Sequence, residues 1–390
     1  MEIKQAKMLD HFQTGIFAAL NEKKEEMIKS GRKVYNLSVG TPDFKPQQHI
    51  MDALVEAAKD PAQYGYALRD LPELLEAVKD YYKERFGVDV ETDEITSIHG
   101  SQEGIGHIGM ALTSPGDVAI LPNPGYPIFE AGAYLGGAGM YFYPLTEENN
   151  YLPDFKAIPE DIAKQAKFMI LSYPYNPVCA IGTKEVYEEA IAFAKKYNII
   201  IIHDNAYSDI IYDGEVGGSF LSYEGAKEVG VECFSLSKSF NVTGCRISFV
   251  IGNKQVVDAI KLLRSQIDFG MFLPIQRAAI AALRGPKDAV RKQCMEYQKR
   301  RDALCGGLRR IGWDVADSKG TMFAWAKIPK GFSSSQEFCM ELMEKAGVIC
   351  TPGHSFGSLG EGYVRFALVL PVDELEEMID VIDKSGVLKR

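Results

Sequence analysis

The sequence predicts an α/β protein with a mostly parallel β-sheet that is buried on both faces. Short apolar runs alternate with segments of helical periodicity through the middle of the chain, and continuous apolar runs are typical of strands covered on both sides. The expected strands are residues 95–98, 118–121, 168–172, 199–203, 233–236 and 247–251. The expected helices include residues 15–29, 71–86 and 183–197. Ligands bind such sheets at the carboxyl ends of the strands, so a functional site is expected there.

Composition fits a soluble enzyme. The 390 residues include 43 basic and 53 acidic side chains, which gives a net charge of −10. This excess of acid argues against nucleic acid and anionic membranes as partners. The N-terminus lacks the apolar core of a signal peptide, and no apolar run approaches the ~20 residues of a membrane helix. A cytoplasmic location is therefore expected.

Neither a metal site nor a disulfide framework is indicated. The seven cysteines are scattered and never form CxxC, and the metalloprotease and phosphate-loop motifs are absent. The sequence GHSFG (353–357) fits the hydrolase pattern GxSxG, but a loop-like segment follows it and no histidine occurs after His354. A hydrolase needs both a helix and a later histidine, so this interpretation is rejected.

Lys238 carries the strongest functional signal. It ends the sequence SLSK (235–238), and Gly244 and Arg246 follow. A lysine amine can hold an aldehyde cofactor as a Schiff base, while nearby hydroxyls and an arginine can bind a phosphate dianion. Pyridoxal 5′-phosphate (PLP) carries both groups. A solvated lysine beside an unrelated turn is the simpler interpretation of this motif taken alone.

Further motifs follow other expected strands. The sequence GSQEG (100–104) opens a helix and can offer backbone amides to an anion, and a Pro-Gly turn places Tyr126 where its ring can stack on a flat cofactor. Asn176, Asp204 and Tyr207 also follow strands. A buried Asp needs a cation or a donor, and a protonated pyridine nitrogen is one. Taken singly, each motif is explained as well by a turn, by packing or by a helix N-cap.

Together these motifs resemble the class I/II aminotransferases of PLP-dependent fold type I. The matching elements occur in family order, from GTPDF (40–44) to YVRF (363–366), and span essentially the whole chain. The resemblance implies a PLP-dependent enzyme that transfers the α-amino group of an amino acid to a 2-oxo acid. Within the family, the overall pattern is most similar to the LL-diaminopimelate aminotransferases, although alanine, aspartate and aromatic transaminases share most of it.

The resemblance also implies a role for each matching residue. Lys238 would form the Schiff base with the cofactor and move a proton between the substrate and cofactor carbons. Asp204 would bind the pyridinium nitrogen, Tyr126 would stack on the ring, and Asn176 and Tyr207 would donate to its phenolate oxygen. The implied phosphate-binding residues are Gly100, Ser101, Gln102, Ser235 and Arg246. The implied substrate-binding residues are Gly40, Asn176 and Arg365, with the planar guanidinium gripping the α-carboxylate.

Two departures from the family pattern affect these roles. Val178 and Cys179 stand where relatives carry Thr-Gly, which leaves the shape of the turn after Asn176 open. Asp70 stands where most relatives carry Gly.

The second departure concerns a residue that relatives lend to the neighbouring subunit. Five residues before that glycine, relatives carry a Tyr that reaches the phosphate bound by the neighbour, and the position is Gly65 here. Tyr64 or Tyr66 is left for this role, and Tyr64 is favoured. The implied assembly is a homodimer with shared active sites.

The expected architecture has two domains. A large PLP-binding domain would span residues 46–280, and residues 1–45 with 281–390 would form a smaller α/β domain. Residues 11–17 and the partner subunit are expected to meet the distal part of the substrate. Two other functions stay open, a PLP-dependent C–S β-lyase on the same fold and a PLP-binding regulator without catalysis. Such a regulator normally carries a DNA-binding module, for which residues 1–35 are too few.

Overall fold

A seven-stranded sheet lies at the centre of the computed structural model, which describes residues 3–12 and 24–389. The strands in chain order are β1 (Tyr35–Asn36), β2 (Ile95–Ile98), β3 (Val118–Asn123), β4 (Gly139–Pro144), β5 (Ala166–Ser172), β6 (Ile200–Asn205), β7 (Gly230–Ser235), β8 (Ser248–Gly252), β9 (Phe323–Lys327), β10 (Val348–Ile349), β11 (Thr351–Pro352) and β12 (Tyr363–Ala367). The large sheet has the spatial order β2-β8-β7-β6-β5-β3-β4. Its strands from β3 to β7 run parallel, and β8 is antiparallel to both of its neighbours. The predicted α/β fold with a mostly parallel sheet is confirmed.

Helices cover the sheet and fill the connections between its strands. Those that lie wholly within the described residues are Gln48–Lys59, Pro72–Phe86, Ser101–Leu112, Pro127–Leu135, Glu160–Gln165, Lys184–Tyr197, Ala226–Val229, Leu236–Ser239, Lys254–Ile267, Leu273–Arg284, Asp288–Arg310, Ser335–Ala346 and Val372–Ser385. The helices expected at 71–86 and 183–197 are therefore found within one residue of those bounds. Of the helix expected at 15–29, residues 24–29 are helical and residues 15–23 lie outside the described part of the chain. None of the described helices is both long and apolar enough to span a lipid bilayer.

The helix Lys184–Tyr197 shows how sequence signals set these boundaries. The Thr183 hydroxyl accepts a hydrogen bond from the Val186 amide (3.4 Å) and so caps the first turn. Asn198 ends the helix in the left-handed conformation with φ of 56°. Between these caps, one face is buried against the sheet, as its apolar spacing predicts. The buried residues are Val186, Tyr187, Ala190, Ile191, Phe193 and Ala194.

The strand β4 is not among the strands predicted above, and it lies at the edge of the sheet with little buried surface. Only Tyr143 among its residues is fully buried, and its hydroxyl donates to the carbonyl of Ile170 (2.7 Å). The strand pairs in parallel with β3 alone. Its residues 140–143 (MYFY) form an apolar and aromatic run, which is a strand signal that the prediction above does not include.

Two smaller sheets bring the ends of the chain together. The strands β11, β12 and β9 form an antiparallel sheet in that order, and β1 pairs in parallel with β10. Beyond β1, the carbonyl of Leu37 accepts a hydrogen bond from the amide of Ala367 (2.7 Å) at the end of β12. The segment that contains Gly40 therefore lies beside the strand that contains Arg365.

Candidate active site

A cavity of about 320 Å³ lies at the carboxyl ends of β5, β6 and β7. It contains all but two of the residues that the sequence singles out: Gly40, Ser101, Gln102, Tyr126, Asn176, Asp204, Tyr207, Ser235, Lys238, Arg246 and Arg365. Of the two exceptions, Gly100 packs behind Arg246, and Tyr64 does not line the cavity of its own chain. Residues that the motifs do not predict also line it, among them Thr41, Ser237, Thr243 and Phe323. Phe323 lies in an ordinary apolar strand, so its sequence carries no functional signal.

Lys238 lies on the short helix that begins where β7 ends. Its Nζ donates a hydrogen bond to the carbonyl of Gly40 (2.6 Å), and its own carbonyl accepts one from the Gln293 amide (2.8 Å). Burial, together with the positive charges of Arg365 and Arg246, lowers the pKa of the Lys238 amine to about 8. The neutral amine, which is the form that reacts with an aldehyde, is therefore accessible near neutral pH.

Asp204 lies at the end of β6 as a partly buried acid, and its Oδ1 atom is fully buried. Its Oδ1 atom has no hydrogen-bond partner among residues 3–12 and 24–389. Burial raises the pKa of Asp204 to about 7, with a further increase from the charge of Glu232 and an opposing effect of His203. Because an unpaired buried carboxylate is unfavourable, a cationic donor in the cavity would stabilise its ionised form.

Behind Asp204, His203 and Glu232 form a buried pair. They are register partners on β6 and β7, and neighbouring residues of a strand point to opposite faces, so the pair lies on the far side of the sheet from Asp204. His203 Nδ1 lies 2.9 Å from Glu232 Oε2, and the Tyr82 hydroxyl donates to Oε1 (2.6 Å). Burial alone would raise the pKa of Glu232, but these hydrogen bonds hold it below its ordinary value. The sequence signal for this pair is only a Glu within an apolar strand.

An anion cradle lies at the start of the helix that begins with Ser101. Gly100 precedes it with φ of 89°, and a Cβ at this position would lie 2.2 Å from Nη2 of Arg246. Only glycine therefore lets the guanidinium pack against the helix N-terminus. The Ser101 Oγ is buried and has no partner within the described chain, and Ser235 also lines the cavity. The helix N-terminus therefore brings backbone amides, two hydroxyls and a guanidinium together, and this combination is suited to bind a phosphate.

Arg365 is a buried cation that forms no ion pair with the described carboxylates. Its Nη1 donates to Asn176 Oδ1 (2.7 Å), and its Nη2 donates to the carbonyl of Ser38 (3.1 Å). The guanidinium carbon lies 4.1 Å from the ring centroid of Phe323 and 4.7 Å from that of Phe356. The Nε atom is buried and has no hydrogen-bond partner there. A buried guanidinium that has no carboxylate partner among the described residues is suited to bind the carboxylate of a ligand.

The turn after Asn176 keeps a glycine-like shape although it carries Cys179. The φ of Cys179 is 63°, in the left-handed region that glycine favours. Its Sγ lies 3.2 Å from the carbonyl oxygens of Pro177 and Phe323. The Asn176 side chain still reaches Arg365, so the replacement of Thr-Gly leaves this contact in place.

The segment 64–70 is held to the sheet by Asp70. The Asp70 carboxylate accepts hydrogen bonds from the Ser97 amide (2.8 Å) and hydroxyl (2.5 Å). This contact explains an acid at the position where relatives carry glycine. The Tyr64 hydroxyl donates to the carbonyl of Ala58 in the same chain (2.8 Å), whereas Tyr66 is 88% exposed.

The region expected to meet the distal part of the substrate is described only at residues 11 and 12. Residues 13–17 lie outside the described residues. The His11 ring stacks on Tyr134 with centroids 3.9 Å apart, and its Nε2 lies 3.1 Å from Glu130 Oε1. His11 and Phe12 line a second cavity of about 620 Å³ that shares Gln102, Tyr126 and Ile128 with the first.

The residues of the first cavity fit PLP, the cofactor implied by the sequence motifs. The unpaired Asp204 carboxylate suits a protonated ring nitrogen, and the cradle around Gly100 and Arg246 suits a phosphate. The Lys238 amine suits the aldehyde. Each of these groups lies at the same end of the central sheet.

Known proteins resemble this chain over nearly its full length. The sequence profile of the family described as Aminotransferase class I and II matches residues 32–382. LL-diaminopimelate aminotransferases of Dehalococcoides mccartyi and Halothermothrix orenii are 41% and 42% identical to it, over 97% and 95% of this chain and 97% and 96% of their own lengths. The substrate-bound structure of BacF from Bacillus subtilis has a TM-score of 0.94 and 37% identity, and covers 98% of both chains.

Proposed function

The chain belongs to the class I and II aminotransferase family of PLP-dependent enzymes, and we propose that its amino donor is LL-diaminopimelate or a close analogue. The acceptor would be a 2-oxo acid. The two relatives named for this donor support the proposal, because each is about as long as this chain and aligns with nearly all of it.

One observation carries the assignment of the cavity as the site of amino-group transfer. It contains a buried cation, Arg365, and a partly buried acid, Asp204, and neither forms an ion pair with the described residues. The α-carboxylate of an amino acid would pair with the first, and the protonated ring nitrogen of the cofactor would pair with the second. Lys238 lines the same cavity and supplies an amine.

When bound, PLP supplies an electron-accepting ring that stabilises the electron pair left when the substrate Cα loses its proton. Lys238 would hold the cofactor through Nζ and then take that proton as a free amine. Its pKa of about 8 keeps a substantial neutral fraction at physiological pH, which a lysine of ordinary pKa would lack.

The other residues would orient the reacting atoms. Asp204 would keep the proton on the ring nitrogen, and Asn176 with Tyr207 would donate to the phenolate oxygen. Arg365 would fix the α-carboxylate in a bidentate pair, so that the Cα proton faces the amine. Tyr126 would stack on the ring, while the phosphate would bind Gly100, Ser101, Gln102, Ser235 and Arg246.

The visible absorption of the bound cofactor tests this proposal. LL-diaminopimelate, L-glutamate, L-aspartate, L-alanine and cystathionine would be added singly to the loaded enzyme. We expect LL-diaminopimelate to convert the cofactor to its amine form with the highest kcat/KM, and 2-oxoglutarate to restore the original band. A different preferred donor would refute the substrate, and pyruvate release from cystathionine with the band intact would indicate a lyase.

A homodimer with shared active sites is the proposed assembly. Tyr64, Tyr66 and Leu68 are exposed on one loop, and Phe269 and Phe272 are exposed on another. The two loops touch, with ring centroids of Tyr64 and Phe272 5.4 Å apart. A contiguous exposed apolar surface of this kind supports a second copy as its cover.

A further inference from the structure

We propose that Arg300 is a positioning residue for the substrate site, because it fixes the segment 37–44 against the end of β12. The inference rests on the proposed substrate-binding roles of Gly40 and Arg365. Arg300 itself does not line the cavity. Its effect on the reaction would therefore pass through the segment that it holds.

The segment 37–44 contacts both of the functional cations in the cavity. The carbonyl of Ser38 accepts a hydrogen bond from Arg365 (3.1 Å), and the carbonyl of Gly40 accepts one from Lys238 (2.6 Å). A Cβ at Gly40 would lie 2.4 Å from the Phe323 ring, so the backbone has no free space on that side. A shift of this segment would therefore move the partners of both cations.

Arg300 connects this segment to two other parts of the fold. From the helix Asp288–Arg310, its Nη1 and Nη2 donate to the two carboxylate oxygens of Asp43 (2.7 and 2.9 Å). Nη1 also donates to the carbonyl of Leu368 (3.0 Å), directly after β12. The guanidinium carbon lies 4.7 Å from the Phe44 ring centroid, and the side chain is only 5% exposed.

The chemistry of this contact requires an arginine. A planar guanidinium can donate to both oxygens of Asp43 and to a carbonyl at the same time, whereas an ammonium cannot reproduce that fork. Without this bidentate contact, the C-terminal end of the segment 37–44 would no longer be held in place. Misalignment of a hydrogen-bonded charged pair, such as the pair proposed between Arg365 and the α-carboxylate, weakens binding by about 10- to 100-fold.

The neighbouring Arg301 provides a matched control. It is 4% exposed, donates to both carboxylate oxygens of Asp213 (2.7 and 2.9 Å), and donates to the carbonyl of Ser318 (2.9 Å). Neither Asp213 nor Ser318 lines the cavity. The two arginines therefore share a helix, a degree of burial and a type of contact, but only Arg300 holds a segment of the site.

Steady-state kinetics of Arg300→Gln, Arg300→Lys and Arg301→Gln test the proposal. For Arg300→Gln we expect KM for LL-diaminopimelate and for L-glutamate to rise equally, by about 10- to 100-fold, because every donor carries an α-carboxylate. The Lys variant should show a smaller rise. The dissociation constant of PLP, measured by absorbance, should stay unchanged, and Arg301→Gln should change thermal stability without changing KM.

Hydrogen exchange gives a readout that is independent of activity. In the loaded enzyme, Arg300→Gln should increase amide exchange within residues 37–44, and Arg301→Gln should not. Asp43→Asn should raise KM as Arg300→Gln does. The double variant should have the same KM as Arg300→Gln alone, because both substitutions break the same contact.

Several outcomes would overturn the proposal. An unchanged KM for Arg300→Gln would do so, as would an equal rise of KM for Arg301→Gln. Should Arg300→Gln fail to fold, Asp43→Asn poses the same question. Arg365→Ala separates this inference from the proposed function: if it leaves KM unchanged, the assigned substrate site is wrong, and if it alone raises KM, only the role of Arg300 is wrong.

Discussion

Lys238 and Lys261 are both lysines whose pKa is lowered chiefly by burial, yet only Lys238 lines the cavity. Lys238→Ala should abolish the lysine-linked visible absorption of the cofactor and reduce kcat by at least about 10⁴-fold, since it removes both the covalent anchor and the proton-transfer group. Lys261→Ala should retain both properties. Absorption spectra with steady-state kinetics check this, and turnover by Lys238→Ala would refute the central role of this residue.

The lowered pKa of Lys238 also predicts how cofactor uptake depends on pH. Only the neutral amine attacks an aldehyde, so the rate of PLP uptake by cofactor-free protein should rise with pH and level off above about 8. Arg365→Met should move this midpoint upward, because a neighbouring positive charge disfavours the protonated amine. Stopped-flow absorbance gives the profile. A midpoint near 10, the ordinary value for lysine, would contradict the burial of this amine.

At the level of single residues, the sequence indicates chemistry only where a motif surrounds it. Lys238, Asp204 and Arg365 occur in recognisable patterns at strand ends, and the structure brings them to one cavity. Glu232 and Phe323 lie within apolar strands without any pattern. Their contacts with His203 and Arg365 depend on which strands become neighbours.

Among the local elements, the left-handed conformation of Cys179 in the turn after Asn176 predicts the relative stability of two variants at this position. The left-handed conformation costs a residue other than glycine about 1–2 kcal/mol, and alanine would keep this strain while losing the thiol contacts. The free energy of unfolding of Cys179→Gly should therefore exceed that of Cys179→Ala by about 1 kcal/mol. Urea unfolding of the loaded enzyme measures the order of the two variants.

Cys305 is the control for this comparison, since it is a buried cysteine in the interior of the helix Asp288–Arg310. There the order should reverse, with glycine less stable than alanine by about 1 kcal/mol. If the alanine variant were more stable than the glycine variant at both positions, the turn at Cys179 would store no backbone strain.

The secondary-structure elements also differ in whether the sequence predicts them. The helices at 72–86 and 184–197 follow from apolar spacing and end signals in the sequence. The strand β4 is missed although residues 140–143 (MYFY) are apolar and aromatic. That this strand lies at the edge of the sheet, beside β3 alone, depends on the neighbours that the rest of the fold provides.

For the whole molecule, the exposed aromatic loops predict the oligomeric state. Sedimentation of the loaded enzyme should give a mass of twice 43.2 kDa, and Leu68→Glu should shift the protein to monomers and weaken PLP retention. Val216→Glu is the control, because Val216 is also largely exposed but lies outside those loops. A monomeric native enzyme would refute both the dimer and the shared sites. The two-domain division at residues 46–280, and Tyr64 as the residue lent to the neighbour, stay predictions.

By itself, the sequence determined the fold class, the family and the cofactor, because these follow from apolar periodicity and from the order in which short local motifs occur along the chain. Only the tertiary structure decided which distant segments support the site. Asp43 and Arg300 are 257 positions apart, and Tyr82 and Glu232 are 150 apart, so no local pattern records their pairing. Such contacts arise when whole helices and strands pack against each other, and their chemistry depends on that geometry rather than on neighbouring residues.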